Sequence, residues 1–392
     1  MTASDVSGTP TVYDNLTTAQ ELATQLGASV ESICKLDANE SPYGPPPNAV
    51  NALFALAQNG LSLLGAGRYP DASAQALRKA LAGYTGVAAE SIVVGNGSDE
   101  LIHLLVELLL TPDDEVIVSE PTFSLYGLAA RRIGAKVIDA GYEGDFVLTP
   151  ERITSAMTPR TRLVFLCSPN NPTGASLRRD TLTAALERAE ELTRGATDSG
   201  PFIILDEAYY EIGALVGAPD AWTAAGAIVD HPRLVILRTF SKLFGLAGLR
   251  VGYALCNPAL ATSLRELKQP YNANSAGQIA ARAALSETNW LRDRARELVT
   301  ERERVFRALC SMPRLRVYPS SANFLFAQVL DPAQARIIWQ ALLERGIMVR
   351  CFSDARLNGY LRISVGTPEQ NERLLAALRE ILDGGARKGV TR

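Results

Sequence analysis

Thr239-Phe240-Ser241-Lys242-Leu243-Phe244-Gly245-Leu246-Ala247-Gly248-Leu249-Arg250-Val251-Gly252-Tyr253 is the stretch on which the reading of this chain turns. It joins two short apolar runs, 234–238 (LVILR) and 251–256 (VGYALC). Both have the length and apolar content of buried strands. Lys242 therefore follows a strand end, among small and apolar neighbours, with Arg250 eight positions on. Burial and nearby cations lower an amine's pKa and make it nucleophilic. Thr239, Ser241 and Arg250 could hold a phosphate beside it. A surface lysine after a strand is the commoner arrangement, so Lys242 alone decides little.

Working outward, the same alternation recurs. Runs at 91–95 (SIVVG), 115–119 (EVIVS), 136–139, 162–167 (RLVFLC) and 202–206 (FIILD) read as strands. Helical patterns lie at 17–27, 48–59, 73–84, 98–110, 124–133 and 177–194. Short apolar runs between amphipathic helices predict an α/β domain around a mostly parallel, seven-stranded sheet between helices. The prolines at 45–47 forbid helix or central strand, so the segment from Asn39 to Pro47 is expected to cross the molecule extended. Residues 275–310 read as long helical segments. From about residue 313 a smaller α+β unit follows, with strands LRVYP, NFLFAQV, IMVRC and YLRISV and helices at 331–345 and 368–383. The expected division is an arm at 1–47 that contributes to the small domain, a large domain at 48–285, and a C-terminal small domain at 286–392 with a frayed tail.

The chain has 392 residues and a formal charge of −3, with no basic stripe of the kind nucleic-acid partners require. Its five cysteines are scattered, with no CxxC pair, so buried thiols in a reducing cytosol are expected and neither a disulfide framework nor a metal site. The longest apolar stretch, 101–110, is interrupted by His103 and Glu107 and is too short to span a bilayer. The polar first ten residues lack the pattern of a secretory leader. A cytoplasmic protein is expected. His103 and His231 read as a packing residue and a loop residue.

Ligands of open α/β sheets bind beyond the carboxyl ends of the strands. Three further segments stand there. Gly95-Asn96-Gly97-Ser98-Asp99-Glu100 opens a helix whose free N–H groups suit a phosphate, although a tight turn capped by Ser98 fits equally. The dinucleotide fingerprint fails, because Glu100 stands where a third glycine is needed. In Cys167-Ser168-Pro169-Asn170-Asn171-Pro172-Thr173-Gly174, Asn171 can donate an amide hydrogen bond into the cleft or simply form a turn. Asp206, in Leu205-Asp206-Glu207-Ala208-Tyr209, ends an apolar strand, where a carboxylate needs a cation or donors; a protonated ring nitrogen would serve, as would a capping role.

In order and spacing these segments resemble the class I and II, fold-type-I aminotransferases that depend on pyridoxal phosphate, and within them the histidinol-phosphate aminotransferase family. The resemblance runs from Leu36-Asp37-Ala38-Asn39-Glu40-Ser41-Pro42-Tyr43-Gly44-Pro45, through Arg68-Tyr69-Pro70-Asp71, to Leu361-Arg362-Ile363-Ser364-Val365-Gly366-Thr367. It implies that Lys242 carries the cofactor as a Schiff base and moves the substrate proton. It implies that Asp206 pairs with the pyridinium nitrogen, that Asn171 and Tyr209 bond the ring oxygen, and that Phe123 stacks on the ring. Ser98, Asp99, Thr239, Ser241 and Arg250 would line the phosphate cradle. Tyr69 would reach the cofactor of a second subunit in a homodimer. Arg362 would bind a substrate anion, Arg350 a second one, and Asn39, Tyr13 and Tyr271 would face the substrate. The implied reaction takes histidinol phosphate and 2-oxoglutarate to imidazole-acetol phosphate and glutamate. Two departures stand out: Tyr13 is followed by Asp14-Asn15-Leu16-Thr17, not the family's Pro-Gly-Lys-like turn, and Phe123 replaces a common tyrosine. An aromatic amino-acid aminotransferase and a decarboxylase or lyase on the same scaffold remain alternatives.

Overall fold

The computed structural model describes residues 17–58, 67–194 and 200–387. Helix α1 (Ala19–Leu26) and the short strand β1 (Cys34–Leu36) precede a crossing segment, then α2 (Pro47–Gln58) and α3 (Gln75–Thr85). Strand β2 (Ile92–Gly95) leads into α4 (Gly97–Leu109), β3 (Glu115–Val118) into α5 (Leu125–Arg132), and β4 (Lys136–Asp139) into α6 (Pro150–Ala156). Next come β5 (Thr161–Cys167) with α7 (Arg179–Arg194), and β6 (Phe202–Asp206) with the short α8 (Tyr210–Ala214). Strands β7 (Leu234–Thr239) and β8 (Gly252–Leu255) are followed by α9 (Pro258–Leu267), α10 (Ser275–Ala284) and α11 (Thr288–Cys310). The chain ends with β9 (Leu315–Tyr318), β10 (Phe324–Val329), α12 (Pro332–Leu343), β11 (Ile347–Cys351), β12 (Tyr360–Ser364) and α13 (Pro368–Arg387).

The large sheet has seven strands in the order β2-β8-β7-β6-β5-β3-β4, with only β8 antiparallel to its neighbours. Strands β5, β6 and β7 carry continuous apolar runs (163–166, 202–205 and 234–237) because both faces are covered there. Successive residues divide between two cores: Ile203, Leu205, Leu234 and Ile236 face one. Ile204, Val235 and Leu237 face the other. Each fully buried leucine or isoleucine contributes roughly 1.5–3 kcal/mol. The result is a rigid sheet whose carboxyl ends of β2, β5, β6 and β7 share one edge.

Register sets what meets at that edge. Gly252 of β8 lies beside Gly95 of β2 and beside Thr239 of β7. A Cβ on Gly252 would stand 2.4 Å from the Ser98 backbone nitrogen and 2.6 Å from the Gly97 carbonyl carbon. The missing side chain thus lets the first turn of α4 pack directly on the sheet. At Gly245 (φ +66°), a Cβ would meet the Gly44 carbonyl oxygen at 2.1 Å. The proline-rich segment therefore crosses directly over the loop that carries Lys242.

The second sheet has five strands, in the order β1-β11-β12-β10-β9. Strand β1 joins it by parallel pairing with β11. Phe146, from the large unit (φ +64°), inserts among Tyr318, Phe326 and Tyr360 of the small one.

Several sequence expectations shift. Strand β1 and helices α6, α8 and α9 were not expected; the helical segments expected at 275–310 are two helices separated at Leu285–Glu287. Only Cys34 and Cys256 are buried; Cys310 is exposed and Cys167 and Cys351 are half-buried, Cys167 lining the cleft and Cys351 packing against the core of the small unit. His103 is half-buried rather than fully packed, and His231 sits in a loop within 3.0 Å of Glu190. Among the described residues no helix is long and apolar enough to cross a membrane, and no His/Cys/Asp/Glu group is placed to hold a metal.

Candidate active site

A cleft of about 550 Å³ opens at the carboxyl edge of the large sheet and is closed on its other side by the small unit. Asp206 ends β6 at its floor and is 3% exposed. Tyr126, on α5, donates its hydroxyl to Asp206 Oδ2 at 2.7 Å, and the Ala208 N–H donates to Oδ1 at 3.0 Å. Tyr126 is itself fixed by stacking on Phe165, 4.6 Å away. Burial raises the Asp206 pKa to about 6, and the two donors pull in the opposite direction. The next residue, Glu207, points the other way and pairs with buried Arg238 at 2.8 Å. Adjacent carboxylates thus serve opposite faces, one the cleft and one the core.

Lys242 follows β7 and is half-buried, with its amine deep in the cleft. Nζ donates to the Ala38 carbonyl at 3.4 Å and lies 5.5 Å from the Tyr209 ring. Burial, and then the charge of Arg362, lower its pKa to about 8. Tyr209 is buried, and burial raises its pKa. Its hydroxyl accepts from Asn39 Nδ2 at 3.0 Å, which leaves the tyrosine proton to be donated. Asn39 is held in a left-handed conformation (φ 55°) by Ser364, whose hydroxyl donates to Asn39 Oδ1 and accepts the Asn39 N–H.

The two asparagines after β5 divide their work. Asn170 is buried and ties this turn to the Pro121 carbonyl and to Thr122 and Thr173. Asn171 faces the cleft and accepts from Arg362 Nη1 at 2.6 Å, leaving its amide hydrogens as donors. Arg362 also donates to the Asp37 carbonyl at 2.6 Å. Arg350 of β11 is its register partner, so two guanidinium groups rise side by side from one wall of the cleft.

At the other end Thr239 Oγ1 donates to Ser241 Oγ at 2.9 Å and accepts the Ser241 N–H at 3.1 Å. Ser98 lies in the first turn of α4 and is not its cap; Asn96 occupies that position. Arg250, in a left-handed conformation (φ 52°), bonds Asp99 at 2.9 Å. Phe123 lines the cleft and meets Tyr126 edge-on, 5.5 Å away.

Thus Lys242, Asp206, Tyr209, Asn171, Phe123, Ser98, Asp99, Thr239, Ser241, Arg250, Arg350, Arg362 and Asn39 converge on one cleft. Tyr69 and Tyr271 do not line it. They stack on each other outside it, 4.5 Å apart, and Tyr69 is 81% exposed. Tyr13 lies outside the described residues. The sequence reading missed Tyr126, Glu120, Arg131 and Arg356. Phe123 precedes α5 and Tyr126 lies in its first turn, so no helical spacing links them, and neither Tyr126 nor the arginines carried a local signal.

The aminotransferase class I and II family model matches residues 31–378. The chain belongs to the class I and II aminotransferases. Within that class it belongs to the histidinol-phosphate aminotransferase family. It is 40% identical to the histidinol-phosphate aminotransferase of Roseiflexus castenholzii over 94% of this chain and 95% of that one. A chloroplastic histidinol-phosphate aminotransferase of Nicotiana tabacum is 38% identical, over 94% and 83%. The crystal structure of the histidinol-phosphate aminotransferase of Sinorhizobium meliloti in complex with pyridoxal-5'-phosphate superposes with a TM-score of 0.82, at 27% identity, covering 97% of this chain and 98% of that one.

This class I and II aminotransferase is a pyridoxal-phosphate-dependent transaminase, and its cleft fits that cofactor. The donor set is an amine kept near neutrality, a buried carboxylate and a hydroxyl-lined cradle with an arginine. A carbonyl, a ring nitrogen and a phosphate are the groups these would receive. The close approach of α4 at Gly252 brings backbone N–H groups to the phosphate end.

Proposed function

We propose that this enzyme transfers the amino group of histidinol phosphate to 2-oxoglutarate, giving imidazole-acetol phosphate and glutamate. The observation that carries the reading is the pair Arg350 and Arg362, in register on adjacent strands of a cleft wall. Two forked cations on one wall suit a phosphate in one half-reaction and a carboxylate in the other. The near-full-length similarity to histidinol-phosphate aminotransferases supports it.

Pyridoxal phosphate supplies, when bound, an electron sink and a carbonyl that carries the amino group between substrates. In this proposal Lys242 holds it and then takes and returns a proton at the substrate carbon. An amine of pKa about 8 can do both near neutral pH. Asp206, buried and oriented by Tyr126, would hold a proton on the ring nitrogen. Tyr209 and Asn171 would donate to the ring oxygen, and Phe123 would cover the ring. Ser98, Asp99, Thr239, Ser241 and Arg250 would hold the phosphate. Asn171 and the Asp37 carbonyl aim Arg362 at the substrate anion, and Asn39 keeps Tyr209 in place.

The exposed Tyr69–Tyr271 pair, away from its own cleft, supports a homodimer in which Tyr69 reaches the cofactor phosphate and Tyr271 the substrate of the other subunit. Tyr13 belongs to the same substrate side. The two sheets support the division into arm (1–47), large domain (48–285) and small domain (286–392). Five free thiols support a cytoplasmic setting.

The test is a half-reaction. Cofactor-loaded enzyme mixed with histidinol phosphate, without a keto acid, should lose its visible band and accumulate the amine form of the cofactor. Conversion by phenylalanine or tyrosine alone would move the substrate to aromatic amino acids. Bound cofactor that no amine converts would replace the transaminase reading with a lyase.

A further inference from the structure

At the mouth of the cleft the large unit presents Glu120, beside the Pro121–Phe123 wall, and the small unit presents Arg356, from the turn between β11 and β12. Arg356 Nη2 and Glu120 Oε2 stand 3.8 Å apart across the opening. Their surroundings differ. The Glu120 side chain is 14% exposed, and its backbone N–H is anchored on Asp139 at 2.9 Å. The Arg356 side chain is 59% exposed, yet its guanidinium is aimed. Asp354, two residues before it, accepts from Nε at 3.1 Å and from Nη2 at 2.6 Å. Asp354 also accepts the Arg356 backbone N–H at 2.9 Å, which fixes the turn. Among the described residues nothing accepts from Nη1, so one edge of the fork remains for a ligand.

Arginine loses little freedom per bond when its planar fork is already held, and it recognises carboxylates in two-point fashion. Arg362 and Arg350 lie deeper on the same wall, which also carries Phe352 and Leu357. A ligand that reaches from Arg362 to the mouth meets apolar surface and then Arg356. The two substrates of the proposed reaction differ most at that far end. One bears an imidazole ring, the other a second carboxylate. An arginine whose neighbour across the opening is a protein carboxylate at 3.8 Å, beyond hydrogen-bonding distance, can serve both. Facing a ring it stays by Glu120; facing a carboxylate it exchanges one anion for another, while the charge of Arg131 still favours the Glu120 carboxylate.

We propose that Arg356 is the specificity-determining residue for the distal carboxylate of a dicarboxylic 2-oxo acid, and that Glu120 is the partner it exchanges for that carboxylate. This rests on the transaminase reading with 2-oxoglutarate as acceptor.

The test compares 2-oxoglutarate with 2-oxopentanoate, a monocarboxylic acid of equal chain length, in reoxidising the amine form of the loaded enzyme to its starting spectrum. Arg356→Gln should shift the preference for 2-oxoglutarate over 2-oxopentanoate by about 10- to 100-fold, the range of one lost hydrogen bond to a charged group. The shift should appear in KM more than in kcat. Arg356→Lys should recover part of it, and Glu120→Gln should lower the KM for 2-oxoglutarate. An equal change with both acceptors, or none, overturns the proposal. The donor half-reaction of the wild-type enzyme is read separately: its failure sinks the transaminase reading, whereas its success with an unchanged acceptor preference sinks this inference alone.

Discussion

Asp206 shows how one residue records both its burial and its purpose. Without a cofactor its carboxyl group has two donors and no cation, and burial lifts its pKa from 3.8 to about 6. The folded protein therefore holds this proton more tightly than the unfolded chain between about pH 4 and pH 6. The neutral form favours folding below pH 4, and that advantage is lost as pH rises through 6, an effect on the order of 3 kcal/mol. Asp206→Asn keeps the Tyr126 bond and cannot titrate. Urea titrations of cofactor-free protein should show the variant gaining on the wild type as pH goes from 4 to 6. A difference independent of pH would mean that Asp206 is not buried and cation-free in the apo form. At this scale the sequence was informative wherever an ionisable or amide residue ended an apolar run, as with Asp206, Lys242 and Asn171. It was silent where the decisive contact came from elsewhere in the chain: Tyr126 lies 80 residues from Asp206.

Elements were legible where packing imposed a pattern. Strands buried on both faces read as continuous apolar runs, which made most of the large sheet visible in advance; the edge strand β4, with Lys136 and Asp139 exposed, was the exception to that pattern. Strand β1 was not, because three residues carry no periodicity and its partner β11 lies more than 300 residues on. Helices α6 and α9 begin with Thr149-Pro150 and Asn257-Pro258, a cap followed by a proline at the first turn. The capping signal stands in the sequence at both places. The seat of α4 on β8 depends on a feature no propensity reveals, the absence of a side chain at Gly252. Gly252→Ala places a methyl carbon 2.4 Å from one backbone nitrogen and 3.1 Å from the Arg238 carbonyl oxygen, and neither is the end of a flexible chain. Helix α4 must lift from the sheet, which should cost about 1–3 kcal/mol of stability by overpacking. Because Ser98 and Asp99 move with it, cofactor affinity should fall together with the thermal midpoint of the apoenzyme. An unchanged dissociation constant for pyridoxal phosphate would separate α4 from the cradle.

At the scale of the whole molecule, two sheets meet over the cleft, joined by Phe146 in the aromatic cluster of the small unit and by Phe324 and Val365 in the core of the large one. The resemblance implied that Tyr69 serves a second subunit's site, but it placed Tyr271 only on the substrate side. The two residues stack on the surface away from the cleft of their own chain. A closed two-fold dimer would carry each pair to the partner's opening, so that every site draws Lys242 from one chain and Tyr69 from the other. Complementation tests this directly. Tyr69→Ala and Lys242→Ala homodimers should each be impaired, since every site lacks one residue. In a mixed dimer both substitutions fall in one site and the other is intact. Equal amounts dissociated and reassembled at random should recover about a quarter of wild-type activity, half of the dimers having one whole site. If Tyr69 instead served its own chain's cleft, a mixed dimer would hold one Lys242→Ala site and one Tyr69→Ala site. Activity would then stay at the average of the two parents, and sharing between subunits would be excluded.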